Sequence, residues 1–168
     1  MMELYLLRHG IATERGKETR GTDAQRPLTS KGKRKMRRIA KVMRGLELAF
    51  DLILSSPLLR ARQTADIVAE QFKLAEQLKL SNHLAPEGNP RDLIRDLKRL
   101  RRGSRNVLLV GHEPYLSNLM ATLLAGQPIV DINLKKGGLC LLRIDSLQNG
   151  RCATLEWLMT PRQMTKIR

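Results

Sequence analysis

The sequence predicts an α/β fold, a three-layer sandwich with a mostly parallel central sheet flanked by helices. Three observations lead there. Short apolar runs such as Leu4-Tyr5-Leu6-Leu7 and Val107-Leu108-Leu109-Val110 have the composition of strands covered on both faces. Between the runs, apolar residues recur every three or four positions, the spacing of helices that lay one stripe on a sheet. Strand and helix patterns then alternate along most of the chain, the order that parallel pairing requires.

The elements follow in order. Glu3–Leu7 is the first strand, and a polar loop covers Ile11–Leu28. Thr29 or Ser30 caps a helix with Met36, Ile39, Ala40 and Met43 on one face, ended by Gly45. Asp51–Ser55 is the second strand. Ser56-Pro57 then has the form of an N-cap followed by proline at the first helical position. Leu58, Ala61, Ala65, Val68 and Phe72 make the apolar stripe of that helix. A short extended piece falls within Leu78–Leu84, and Asn89-Pro90 starts a helix with Leu93, Ile94, Leu97 and Leu100 inward and Gly103 beyond its end. Asn106–Val110 is the clearest central strand. Glu113-Pro114 opens a helix carrying Leu116, Leu119, Met120, Leu123 and Leu124. Gly138–Ile144 and Cys152–Met159 flank the turn dipeptide Asn149-Gly150 and read as a hairpin at a sheet edge. With 168 residues and neither repeat nor linker, residues 1–168 are expected to form one domain.

Composition narrows the function classes. No apolar stretch is long enough to span a membrane, and no signal peptide is recognisable, so a cytoplasmic protein is expected. Cys140 and Cys152 have no metal-ligand spacing and are expected to be reduced. The net charge of +15 favours acidic partners or polyanions. It is concentrated in Lys31–Arg44, with eight basic residues and no acid, and in Arg91–Arg105, with seven basic residues against Asp92 and Asp96. Solvated helix faces account for such runs, and docking of an acidic protein is the functional alternative. Nucleic acid is disfavoured because aromatic residues make up only 3% of the chain, and Tyr5, Tyr115 and Trp157 fall in or beside core elements.

Chemistry concentrates at two strand ends. Arg8-His9-Gly10 closes the first strand, and Gly111-His112 follows the Val107–Val110 strand. Ligands of open α/β sheets bind outside the carboxyl ends of strands, so both histidines belong at an active-site edge. An arginine fork suits phosphate, and an imidazole nitrogen can attack phosphorus. Arg60 falls near the start of the helix after the second strand, where a helix N-terminus also favours anions. Charge alone does not separate Arg60 from Arg62. His83, the third histidine, lies in a less regular segment.

Arg8-His9-Gly10, Ser55-Ser56-Pro57-Leu58-Leu59-Arg60-Ala61-Arg62-Gln63-Thr64-Ala65 and Gly111-His112-Glu113-Pro114 occur in the order seen in the histidine phosphatase superfamily, which this chain resembles over Met2–Ala125. Arg26-Pro27-Leu28-Thr29 with Lys31-Gly32 also matches the segment before that family's first helix. Only 51 residues separate Arg60 from His112, so the chain is most similar to the compact SixA-type phosphohistidine phosphatases and carries no large cap insertion. The resemblance implies a phosphoglycerate mutase-like fold and a metal-independent phosphatase without cofactor. It makes His9 the nucleophile. It makes Arg8, Arg60 and His112 the groups that bind phosphoryl oxygens, and it places Gly10 at the substrate.

The general acid is the open point. Larger relatives use a carboxylate to protonate the leaving oxygen. Glu87 lies in the corresponding region, while Asp23, Glu14 and Glu113 are other loop carboxylates that solvent exposure or capping explains. Imidazole leaves more easily than an alkoxide, so a site without a dedicated acid suits phosphohistidine in a protein. The alternatives are a phosphatase for a small phosphate ester or anhydride, and a non-catalytic basic binding domain.

Overall fold

The computed structural model describes residues 1–14, 16, 22–100 and 103–166. Among them a six-stranded sheet forms with strand order β3-β2-β4-β1-β5-β6. The strands are β1 (Met2–Arg8), β2 (Leu52–Ser55), β3 (Leu78–Leu80), β4 (Asn106–Gly111), β5 (Leu139–Ile144) and β6 (Ala153–Met159). β1 to β4 pair in parallel, and β5 and β6 add an antiparallel edge beside β1. The helices are α1 (Ser30–Gly45), α2 (Leu59–Phe72), α3 (Pro90–Leu100), α4 (Tyr115–Ala125) and the short α5 (Pro161–Met164).

Side chains alternate across the sheet and build a core on each face. Leu4, Leu6, Leu52, Leu54, Val107 and Leu109 pack against α3 and α4. Tyr5, Leu7, Ile53, Leu108 and Val110 pack against α1 and α2. Strands covered on both sides have no polar face to show, which is why their sequences read as continuous apolar runs. Truncating a fully buried member such as Leu109 to alanine would cost about 2–5 kcal/mol.

The topology also fixes where a ligand binds. The connection leaving β1 runs through α1 on one face toward β2, whereas that leaving β4 runs through α4 on the other face toward β5. β1 and β4 are neighbours, so a crevice opens between their carboxyl ends. Arg8 pairs with Gly111 in register, and His9 N–H donates to the Gly111 carbonyl at 3.0 Å. His9 and His112 therefore emerge side by side.

Two local expectations, at Ser56 and at Asn149-Gly150, are corrected. Ser56 does not cap α2: the helix starts at Leu59 after Leu58, whose side chain makes no capping bond. The buried Ser56 hydroxyl accepts from the Leu58 N–H at 3.3 Å and meets His112 Nε2 at 2.8 Å, and Arg60 is the second helical residue. α1 does end at Gly45, capped at its start by Thr29, but the left-handed residue beyond it is Glu47, at φ 57°. Asn149-Gly150 does not make a two-residue turn. It lies within the 145–152 connection, where Leu147 is buried in the core and Cys152 N–H reaches the Leu123 carbonyl of α4 at 2.8 Å. Both cysteines are unpaired. The exposed face of α1 presents Lys31, Arg34, Arg37, Arg38, Lys41 and Arg44. Of the residues read from sequence, Arg101, Arg102 and Arg168 lie outside the described residues, as do positions 15 and 17–21 of the long loop.

Candidate active site

His9 leaves β1 with its imidazole buried, only 6% exposed. Its Nδ1 lies 2.7 Å from the Gly10 carbonyl. A carbonyl only accepts, so Nδ1 carries the proton and Nε2 carries the lone pair. Arg60 Nε donates toward that Nε2 at 3.3 Å. Burial is the main force lowering the His9 pKa to about 3. His112, Arg60 and Arg8 push the same way, and the Gly10 carbonyl opposes them. His9 is therefore neutral at physiological pH, with an unprotonated Nε2 facing Arg60.

His112, at the end of β4, faces His9 with ring centroids 5.1 Å apart. Its Nε2 is 2.8 Å from Ser56 Oγ, while its buried Nδ1 has no hydrogen-bond partner among the described residues. Burial, then Arg60, lowers the His112 pKa to about 4, with Asp23 opposing. A serine hydroxyl donating to Nε2 leaves an N–H at Nδ1, a donor ready for an anion.

The guanidinium groups are held from the loops. Arg8 Nη1 donates to the Leu134 carbonyl at 2.9 Å, and its Nε is buried without a partner among the described residues. Burial lowers the Arg8 pKa, and Glu113 partly offsets this. Arg60 is 4% exposed and lines the cleft, whereas Arg62 is exposed and does not. Asp23 grips Arg60 twice: Nη1 donates to its carbonyl at 2.8 Å and Nη2 to its carboxylate at 3.0 Å. Arg26 Nε donates to the other Asp23 oxygen at 2.8 Å. These residues line a cleft of about 450 Å³ over the strand ends.

Gly10 stands apart from the cleft wall. Its N–H donates to Thr64 Oγ1 at 3.1 Å, and a Cβ there would come within 2.7 Å of Met36 Cγ. It positions His9 rather than offering its amide to a ligand. Thr64 in turn donates to the Arg60 carbonyl at 2.7 Å, so one hydroxyl ties both strand end and helix start. Glu87 reaches the cleft rim and is exposed. Glu113 also lines the cleft, but Ser117 N–H and Oγ–H both donate to its carboxylate, at 3.2 and 2.5 Å. Burial raises the Glu113 pKa, against the pull of Ser117 and Arg8. His83 lies elsewhere, 3.5 Å from Asp96. Ser56 and Thr64, which hold His112 and Arg60, and Lys136, which lines the cleft, were not singled out by the sequence. A second serine at the end of a buried strand, and a threonine one turn after Arg60, were the available signals.

The geometry has counterparts in known proteins. Residues 4–85 match the model of the histidine phosphatase superfamily (branch 1). An uncharacterized protein of Picosynechococcus sp. is 40% identical over 143 residues, covering 84% of this chain and 85% of the relative. Phosphohistidine phosphatase SixA of Escherichia coli is 28% identical over 161 residues, 95% of this chain and 94% of that protein. The solved structure of the protein histidine phosphatase SixA complexed with tungstate superposes with a TM-score of 0.83 at 27% identity, covering 96% of this chain and 98% of the other.

Proposed function

This chain belongs to the histidine phosphatase superfamily, and on that premise we propose that it hydrolyses phosphohistidine in proteins, with His9 as the nucleophile. The observation that carries the reading is the neutral His9 ring, whose Nδ1–H is fixed on Gly10 and whose Nε2 faces Arg60. Nε2 attacks phosphorus, and the P–N bond to the substrate imidazole breaks. That leaving nitrogen takes up a proton, and water then cleaves the phosphorylated His9 to release phosphate. Arg8, Arg60 and the Nδ1–H of His112 hold the phosphoryl oxygens as charge spreads over them. The tungstate bound to SixA supports an oxyanion site of this kind.

The cleft carboxylates favour phosphohistidine over an alkyl ester. Asp23 is paired with Arg60 and Arg26, Glu113 is bonded to Ser117, and Glu87 is exposed at the rim. Two of the three are engaged by other side chains and the third is exposed, and imidazole, with a reference pKa of about 6.5, departs without a strong acid. Turnover of a phosphohistidine peptide, glycerol phosphate and an aryl phosphate tests the reading, with His9→Ala beside the unaltered protein. The expected result is preference for the phosphohistidine peptide and loss of all turnover in the variant. Preference for glycerol phosphate would overturn the substrate class. Undiminished activity of His9→Ala would overturn the nucleophile.

A further inference from the structure

A second groove, of about 390 Å³, opens beside the cleft. The two share one wall residue, Lys136. Ile11, Thr160 and Pro161 form the groove's floor, and Lys35, Lys135, Lys136 and Arg162 ring it. Lys135, Lys136 and Arg162 are exposed and Lys35 is half-buried, and none of the four has an ion-pair partner among the described residues.

The loop that carries the two lysines is bolted to Arg8. Gly137 N–H donates to the Arg8 carbonyl at 2.9 Å, Arg8 N–H donates to the Gly138 carbonyl at 3.1 Å, and the Arg8 side chain holds the Leu134 carbonyl at 2.9 Å. Gly137 takes a φ of 77°, which a side chain would resist. The groove therefore keeps a fixed offset from the phosphoryl site. Unpaired cations beside Ile11, Pro161 and the helix-capping Thr160 complement a chain rich in carboxylates on short aliphatic stems. No aromatic side chain lines the groove, so it lacks the stacking surface a nucleic acid would use.

We propose that this groove binds an acidic polypeptide segment flanking the phosphorylated histidine, so that the protein selects substrates whose phosphohistidine lies beside aspartates and glutamates. The proposal rests on the phosphohistidine reading above and adds a sequence preference to it. Only the shared Lys136 belongs to the cleft.

The test compares two phosphohistidine peptides of equal length, one flanked by Asp and Glu, the other by Asn and Gln. The protein is assayed beside a Lys135→Glu/Arg162→Glu variant. Both substituted side chains are exposed, and α5 keeps its Thr160–Gln163 capping box. The acidic peptide is expected to be favoured in kcat/KM by about tenfold at low salt, as several exposed ion pairs acting together allow. That ratio is expected to shrink with added salt and to vanish in the variant, while aryl phosphate turnover stays unchanged. A ratio near one, or a ratio the variant retains, overturns the proposal. Fluorescence anisotropy of the unphosphorylated acidic peptide gives an independent reading. If aryl phosphate is hydrolysed but neither phosphohistidine peptide is, the substrate reading fails. The groove is then supported if the variant loses peptide binding and overturned if it does not. Loss of binding to a single-stranded RNA oligonucleotide, with peptide binding intact, would assign the groove to nucleic acid and overturn the proposal.

Discussion

His9 and His112 end neighbouring parallel strands, both buried and both held neutral, yet they are wired in opposite senses. His9 is fixed through Nδ1 by the carbonyl of the next residue, which leaves Nε2 as a lone pair facing Arg60. His112 is fixed through Nε2 by Ser56, which leaves Nδ1 open. The same residue at equivalent places in two strand–turn units is thus held through Nδ1 in one and through Nε2 in the other, and the proposed roles of attacking group and N–H donor follow from that difference. What decides is which ring nitrogen the surroundings occupy.

Removing each ring in turn has the largest expected effect. His9→Ala is expected to lower kcat by at least about 10³-fold, since the neighbouring imidazole, His112, has its Nε2 engaged by Ser56. His112→Ala removes one oxyanion donor and is expected to cost about 10²- to 10³-fold. Steady-state rates on an aryl phosphate measure both losses, and a His9→Ala protein that still forms a phosphoenzyme would erase the distinction between the roles.

A milder intervention alters the wiring without removing a ring. Ser56→Ala leaves His112 Nε2 without its hydroxyl partner. The expected cost is about 1–3 kcal/mol in urea unfolding, together with about a tenfold fall in kcat. An unchanged kcat would show that Ser56 does not set the donor state of His112.

Proton linkage gives a third handle. Both folded pKa values, about 3 for His9 and about 4 for His112, lie below the ordinary 6.5. The unfolded chain therefore binds protons first as pH falls. Stability from these two groups is present above about pH 6.5 and is lost as pH drops toward the folded values, by about 1.4 kcal/mol per unit for each ring. Urea unfolding from pH 7 to 4.5 is expected to show this slope, and a His9→Gln/His112→Gln protein is expected to lose it. The smallest effect is Arg62→Ala. It is expected within about 0.5 kcal/mol of the unaltered protein and near full activity, because Arg62 is exposed two residues from buried Arg60.

Much of this was legible in the chain. The strands covered on both faces announced themselves as apolar runs, and a histidine directly after such a run has to stand at a sheet edge. What was not legible depended on partners far away in sequence. Ser56-Pro57 satisfied the local signature of a helix cap, but the buried His112 took the hydroxyl, and no local pattern records a bond across 56 residues. Asp23 looked like a solvated loop acid until the fold brought it onto Arg60, 37 residues on. Lys136 entered the cleft only because its loop bonds to Arg8. Gly10 was placed at the substrate for its position in the motif, and the structure spends its amide on Thr64.

The position of the phosphoryl group on the protein during turnover separates the roles of the two rings. The protein would be quenched in alkali while hydrolysing an aryl phosphate, digested for mass spectrometry, and its phosphorus NMR spectrum compared with phosphohistidine isomers. The expected result is a single phosphorylated peptide, the one containing His9, with phosphorus on Nε2. Phosphorus on His112, or on Nδ1 of His9, would contradict the assignment of the two rings.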